Sequence, residues 1–248
     1  MRCSRKAIGI VAAISAALAT ATTPAFGAAP SLSTSGANYV ALGDSYSSGT
    51  GTGDYFGSSG DCLRGPKAYP QLWADAHGVQ DFAFDACAGA KTADLTAEQL
   101  DSLSPNTTLV TVTIGGNDVG FAGAIRSCLL GGQDRCDSAI DEGETEAHEQ
   151  LPAKLDATYA AISSAAPNAK VVVVGYPRVN ELGDCGIPGF DEQKRRRINH
   201  GSDVLDGHGV CADEEWINGP SNPLRESFHP NADGHANGYL AAVNAVTG

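Results

Sequence analysis

Tyr39-Val40-Ala41-Leu42-Gly43-Asp44-Ser45-Tyr46 is the stretch that decides how this chain is read. A short strand-like run ends at a glycine, and a serine stands where the strand gives way to a loop. Similar apolar runs bounded by turn residues recur at Phe82 to Ala86, Leu109 to Ile114 and Val171 to Gly175, with helical patterns between them. Alternation of that kind predicts a parallel sheet wrapped by helices. Open sheets of this class put their chemistry outside the carboxyl ends of the strands. The loops after the first three runs hold Ser45, Gly89 and Asn117, so all three open on one edge of the sheet.

The helical segments are read from apolar spacing. Ala68 to His77 carries Tyr69, Leu72, Trp73 and Ala76 on one face and stops at Gly78. A single helix is predicted from about Glu144 to Ala166, with Leu151, Leu155, Tyr159 and Ile162 as its stripe. A last helix after Pro230 is expected to turn Tyr239, Leu240, Val243 and Val246 inward. Trp73 and the stripe read as core rather than ligand contacts.

Residues 1–27 have a basic start (Arg2, Arg5, Lys6), an apolar, Ala-rich stretch from Ala7 to Ala21 and small residues around Ala25 to Ala29. This is the pattern of a secretory signal peptide, and the stretch is shorter than the ~20 residues needed to span a bilayer. Residues 28–248 then form one domain, without internal repeat or low-complexity linker. The chain has 16 basic and 29 acidic residues, net −13; loss of the three basic residues of the leader leaves 13 against 29, or −16. Such a chain does not seek nucleic acid, and a lipid surface has to be held by apolar contact, transiently at most. The basic run Lys194-Arg195-Arg196-Arg197 reads as a solvated helix face, paired with Asp191 and Glu192. Of seven cysteines, Cys3 leaves with the leader, and an even six in an exported chain implies disulfides. Six cysteines allow fifteen pairings, and their grouping into three successive couples suggests Cys62 with Cys87, Cys128 with Cys136, and Cys185 with Cys211.

A serine hydroxyl attacks only when a base takes its proton, and the oxyanion that results needs donors. For the base, His229 stands out among His77, His148, His200, His208, His229 and His235, because Pro230 biases its backbone toward extended geometry just before the closing helix. Glu226, three residues earlier, is a candidate to orient the imidazole as the third member of a triad; a main-chain carbonyl near Ser227 is the alternative. The Ser45 N–H, the Gly89 N–H and the Asn117 side-chain amide are the candidate oxyanion donors, with glycine at 89 explained by close approach of backbone to substrate. No cysteine or histidine spacing suggests a zinc site, and no cofactor is called for.

Gly43-Asp44-Ser45-Tyr46, Cys87-Ala88-Gly89-Ala90, Ile114-Gly115-Gly116-Asn117-Asp118 and Ser227-Phe228-His229-Pro230 resemble the four blocks of the GDSL, or SGNH, hydrolases. The resemblance runs from Asn38 nearly to the C-terminus and is closest to the secreted streptomycete lipases and esterases, which share Gly175-Tyr176-Pro177-Arg178 and the six-cysteine pattern. It implies a three-layer α/β/α sandwich of flavodoxin-like kind, with Ser45 as nucleophile, His229 as base, and Gly89 and Asn117 completing the oxyanion hole. It also implies a lipase, phospholipase A1 or esterase that cleaves carboxylic acyl esters without a metal; the protein itself is expected to be a monomer.

Against that pattern, Asp206 abuts Gly207 where relatives continue, a shortfall of about twenty residues that predicts a sheet without its last edge strand. The approach of His229 depends on the path of the chain beyond Gly207, so a catalytically impaired relative is one alternative. Another is a flavodoxin-like module whose Ser45, Ser47, Ser48 and Thr50 cradle a phosphate or flavin; against it, no helix is expected close enough behind that loop to aim its N-terminus at a phosphate. The loops Gly49 to Gly60 and Gly183 to Gly189 are expected to border the acyl site.

Overall fold

The computed structural model describes residues 36–248 apart from 184, 200 and 202. The leader expected at residues 1–27 lies outside the described residues. Four strands form the sheet: β1 (Asn38–Gly43), β2 (Asp81–Phe84), β3 (Leu109–Thr113) and β4 (Lys170–Val173). Their order is β2-β1-β3-β4 and every pairing is parallel, with Tyr39 opposite Phe82 on one side and Leu109 on the other. The two-residue period of the strands divides the core into two layers. Tyr39 and Ala41 pack on one face with Trp73, Tyr69 and Tyr239; Val40 and Leu42 pack on the other with Leu95, Val110, Val112 and Ile162. Helices α2 (Tyr69–Ala76) and α8 (Leu240–Thr247) cover the first face, α3 (Thr92–Glu98) and α6 (Leu151–Ala165) the second, giving three layers.

Several expectations shift. The helix predicted from Glu144 to Ala166 is two: α5 (Gln133–Glu149) ends at Gln150, and α6 restarts with Pro152 in its first turn. Proline lacks the N–H that would continue the ladder, so it opens a helix more readily than it sits inside one. The closing segment begins as a π-helical turn, Gly234–Tyr239, before α8. Tyr239, Val243 and Thr247, spaced by four, are buried and Leu240 is half-buried, while Val246, expected inward, is exposed.

The basic run also differs from a solvated face. In α7 (Glu192–Ile198), Arg196 pairs with Glu192 one turn away, and Arg197 reaches Asp141 and Glu144 of α5. Lys194 and Arg195 are buried. The Lys194 ammonium donates to the carbonyls of Cys128, Gly131 and Gly189 at 3.0, 2.9 and 2.7 Å, matching its three protons to three acceptors. Two of those carbonyls close the end of α4 (Phe121–Leu130). Arg195 donates to the carbonyls of Phe190 and Gly183.

Among the described residues β4 is the last strand and no strand pairs with its outer edge; an isolated bridge between Asn180 and Val210 lies outside the sheet's strands. The sheet thus lacks a fifth strand on that side, and Val173 is 53 % exposed. The three cysteine couples suggested by the grouping are bonded: Cys62–Cys87, Cys128–Cys136 and Cys185–Cys211. No helix among the described residues is long and apolar enough to cross a membrane.

Candidate active site

Gly43 makes the turn that delivers Ser45. Its φ is +124°, and a Cβ there would lie 2.3 Å from the Thr113 carbonyl oxygen of the neighbouring strand, so only glycine fits. The Gln99 side chain clamps the same residue, accepting from its N–H at 2.8 Å and donating to its carbonyl at 2.9 Å. A single helical turn, α1 (Ser45–Ser48), starts at once, with the Asp44 carboxylate accepting from the Tyr46 N–H at 3.0 Å as an N-cap. A helix therefore does lie close behind the loop, contrary to the expectation. The phosphate-cradle reading fails for a different reason: the hydroxyls that would form it are engaged within the protein. Ser47 bonds Tyr69 and the Thr113 N–H, and Ser48 contacts Thr50.

His229 reaches Ser45 despite the shortened region. Its Nε2 lies 2.8 Å from the Ser45 Oγ, and its Nδ1 lies 3.0 Å from the Ser227 carbonyl oxygen. With Nδ1–H donating to that carbonyl, Nε2 carries the lone pair that accepts the serine proton. Glu226 does not take the orienting place anticipated for it. Its Oε1 accepts from the Tyr55 hydroxyl at 2.8 Å, and that hydroxyl also accepts from the Gly51 N–H. The longer carboxylate swings away into a local clasp, leaving the carbonyl two residues from the ring in position. Burial lowers the His229 pKa to about 4, against a smaller upward pull from the Ser227 carbonyl. The imidazole is thus neutral over the whole neutral range.

The histidine loop is held from two sides. Asn218 exchanges main-chain bonds with it, donating to the His229 carbonyl at 2.9 Å and accepting from the Phe228 N–H at 2.8 Å. From the serine side, the Tyr46 hydroxyl donates to the Phe228 carbonyl at 2.6 Å. Phe228 adopts φ +59°, uncommon for a residue with a side chain, and is held there by burial against Phe190. The other described histidines with assigned contacts have structural partners: His77 stacks on Trp73, His208 on Trp216, and buried His235 accepts from the Tyr69 N–H.

Asn117 stands just beyond β3, its amide Nδ2 donating to the Ala90 carbonyl at 3.0 Å, which uses one of two protons and fixes the direction of the other. Neither the Ser45 N–H nor the Gly89 N–H has an acceptor among the described residues, and both residues line the same cleft as Asn117. Gly89 has φ +85°, in the left-handed region that favours glycine, and a Cβ there would meet no protein atom within 4 Å. Its loop is braced by Cys62–Cys87, and the Ala88 N–H donates to the Cys62 carbonyl.

One participant was not singled out from sequence. The Tyr176 hydroxyl accepts from the Gly116 N–H at 2.8 Å and donates to the Asp44 carboxylate, tying the loop of Asn117 to the loop of Ser45. Tyr176 lies 60 residues beyond Gly116, and the only sign of it in the sequence is its place in Gly175-Tyr176-Pro177-Arg178. Burial raises the Asp44 pKa to about 7, with the Tyr176 hydroxyl and the Tyr46 N–H pulling it back.

The cleft around these groups has a volume of about 550 Å³. Its walls are apolar, from Phe121, Ile125, Leu129 and Leu130 of α4, with Leu63 and Leu224 at other points. Thr50 is the contribution of the Gly49 to Gly60 loop, whereas no described residue between Gly183 and Gly189 borders the cleft; α4 lines it instead. No cluster that could hold a metal ion occurs among the described residues.

A parallel α/β sheet with an apolar cleft over its carboxyl edge is here the architecture of a carboxylic ester hydrolase, and similarity to known proteins bears this out. The model of the GDSL-like Lipase/Acylhydrolase family matches residues 41–236, and the chain belongs to that family. It is 40 % identical to a lipase of Streptomyces rimosus over 272 aligned positions covering all of both chains, and 45 % identical over 231 to Lipase 1 of Streptomyces coelicolor, covering 84 % of this chain and 86 % of that one. The first alignment is 24 positions longer than the 248 residues present here, a shortfall similar in size to the one expected after Asp206. The crystal structure of the extracellular S. rimosus lipase superimposes with TM-score 0.82 at 40 % identity, covering 85 % of this chain and all of that one. Phospholipase A1 of Streptomyces albidoflavus does so with TM-score 0.82 at 38 % identity, covering 85 % and 99 %. The protein is an ester hydrolase of the GDSL type.

Proposed function

We propose that this protein is a secreted, monomeric acyl-ester hydrolase that works through an acyl-enzyme on Ser45, its residues 1–27 serving as the export signal. The observation that carries the reading is the 2.8 Å approach of the His229 Nε2 to the Ser45 Oγ, with Nδ1 turned to a carbonyl. The imidazole takes the hydroxyl proton as the Oγ attacks the ester carbon, and the carbonyl oxygen becomes an oxyanion facing the Ser45 and Gly89 N–H groups and the Asn117 amide. Collapse of that intermediate expels the alcohol, which leaves with the proton held on Nε2. Water, deprotonated by the same nitrogen, then releases the acid and restores the serine. The Ser227 carbonyl stabilises the imidazolium through Nδ1–H in both halves.

The apolar wall of α4 favours a lipid acyl chain in the cleft, as in a lipase or phospholipase A1. A fluorophosphonate probe combined with mass spectrometry tests the mechanism on the mature protein. Labelling is expected on the Ser45 peptide and is expected to vanish in Ser45→Ala, which should fold normally without turnover. Labelling elsewhere, or activity retained in the alanine variant, overturns the assignment.

A further inference from the structure

Helix α4 presents two rows to the cleft, each repeating every four residues. Phe121, Ile125 and Leu129 form the deeper row; Ala122, Arg126 and Leu130 form the row nearer solvent. The outer row places a guanidinium between an alanine and a leucine that is 73 % exposed. A second arginine, Arg225, reaches the same cleft from the 3₁₀ turn Leu224–Glu226, beside Leu224, which is 50 % exposed.

The chain is strongly acidic, and it pairs most of its cations. Lys67, Lys154, Arg178, Arg196 and Arg197 face carboxylates, while Lys194 and Arg195 are bonded to carbonyls. Arg126 and Arg225 have no such partner among the described residues. In a chain with 29 acidic residues, two unpaired guanidinium groups at the mouth of one apolar cleft are an arrangement that asks for an anion. The carboxylates bordering the cleft do not supply it: Asp44 is buried and bonded to Tyr176, and Asp61 stands exposed on the rim without an ion pair among the described residues.

We infer that Arg126 and Arg225 grip the phosphate of a glycerophospholipid whose acyl chain lies along α4, and that they set preference for phospholipid over neutral glyceride. The inference rests on the acyl-ester reading of the site and adds the group that recognises the head of the substrate. An ester held at Ser45 with its chain on the deep row leaves the glycerol and its third substituent at the mouth, where both guanidinium groups stand. Guanidinium donates pairs of hydrogen bonds to phosphate oxygens, whereas a hydroxyl or a third acyl chain offers it no charge. The exposed Leu130 and Leu224 beside them suit a site that draws its substrate from a lipid surface.

The test presents phosphatidylcholine and a diacylglycerol of the same acyl chains in identical non-ionic mixed micelles, so that both substrates share one interface. For Arg126→Gln/Arg225→Gln, the ratio of phospholipid to glyceride hydrolysis is expected to fall roughly tenfold or more, and by a smaller factor in each single variant. Arg135→Gln, an exposed arginine off the cleft, removes the same charge and is expected to leave the ratio unchanged. An unchanged ratio in the double and single variants, or an equal fall in the Arg135 variant, overturns the inference. Fluorophosphonate labelling of each variant separates the two readings. A wild-type protein that is folded, unlabelled and inert toward both substrates means the hydrolase mechanism has failed, and the recognition role with it. Labelled variants with an unaltered ratio mean that recognition alone has failed.

Discussion

At the residue scale, the arrangement is a set of loops cross-tied by single hydroxyls. Tyr176 is the clearest case, because one oxygen both receives the Gly116 N–H and donates to Asp44. Phenylalanine at 176 keeps the ring and removes both bonds, so Tyr176→Phe is expected to lower kcat roughly tenfold with little change in KM. A change confined to KM would show that the loop of Asn117 keeps its place without the tyrosine. The pH profile gives an independent reading. Because burial holds the His229 pKa at about 4, the base is lost only when pH falls through that value, and log kcat/KM should drop with unit slope below it. Burial sets Asp44 at about 7 against the downward pull of the Tyr176 hydroxyl, so an inflection there should move to higher pH in the phenylalanine variant while the limb at about 4 stays in place. Ser45, Asn117 and His229 were legible because each stands just after a recognisable strand or just before a proline. Tyr176 was not, since a buried hydroxyl bonding across 60 residues leaves no local pattern. The orienter of His229 was half legible: both candidates were visible, but which one faces the ring depends on where Tyr55 draws Glu226.

At the scale of elements, the strands were read nearly to their ends, because parallel strands with helices over both faces of the sheet are continuous apolar runs. Helix boundaries were harder. The Glu144 to Ala166 pattern ran through Gln150 because the apolar stripe hid the break that Pro152 makes. The role of α7 was also hidden, since Lys-Arg-Arg-Arg looks alike whether it faces water or a row of carbonyls. Lys194 ties the end of α4, and hence the apolar wall of the cleft, to the chain before α7. Lys194→Met is therefore expected to destabilise the protein by on the order of 2–4 kcal/mol, since methionine fills the space and leaves three carbonyls unbonded. Urea unfolding measures this; a loss below about 0.5 kcal/mol would place the lysine among ordinary surface cations.

At the scale of the whole molecule, three disulfides join loops and helices around a single sheet of four strands. Cys62–Cys87 closes a segment with a separation of 25 residues, for which the chain-entropy estimate is about 3–4 kcal/mol. Dithiothreitol is expected to lower Tm by about 10 °C if that bond alone is cut. It should reduce turnover before the protein unfolds, since Gly89 hangs from the same bridge; an unmoved Tm would contradict a stabilising role. The outer edge of β4 has a consequence of another kind. This short edge, unpaired among the described residues and ending at the exposed Val173, is the kind of template on which a second copy can pair. What keeps copies apart is mutual repulsion from an excess of acidic over basic residues. Its life in the bottle is thus expected to shorten in brine, which weakens that repulsion, and light scattering against salt concentration measures the effect.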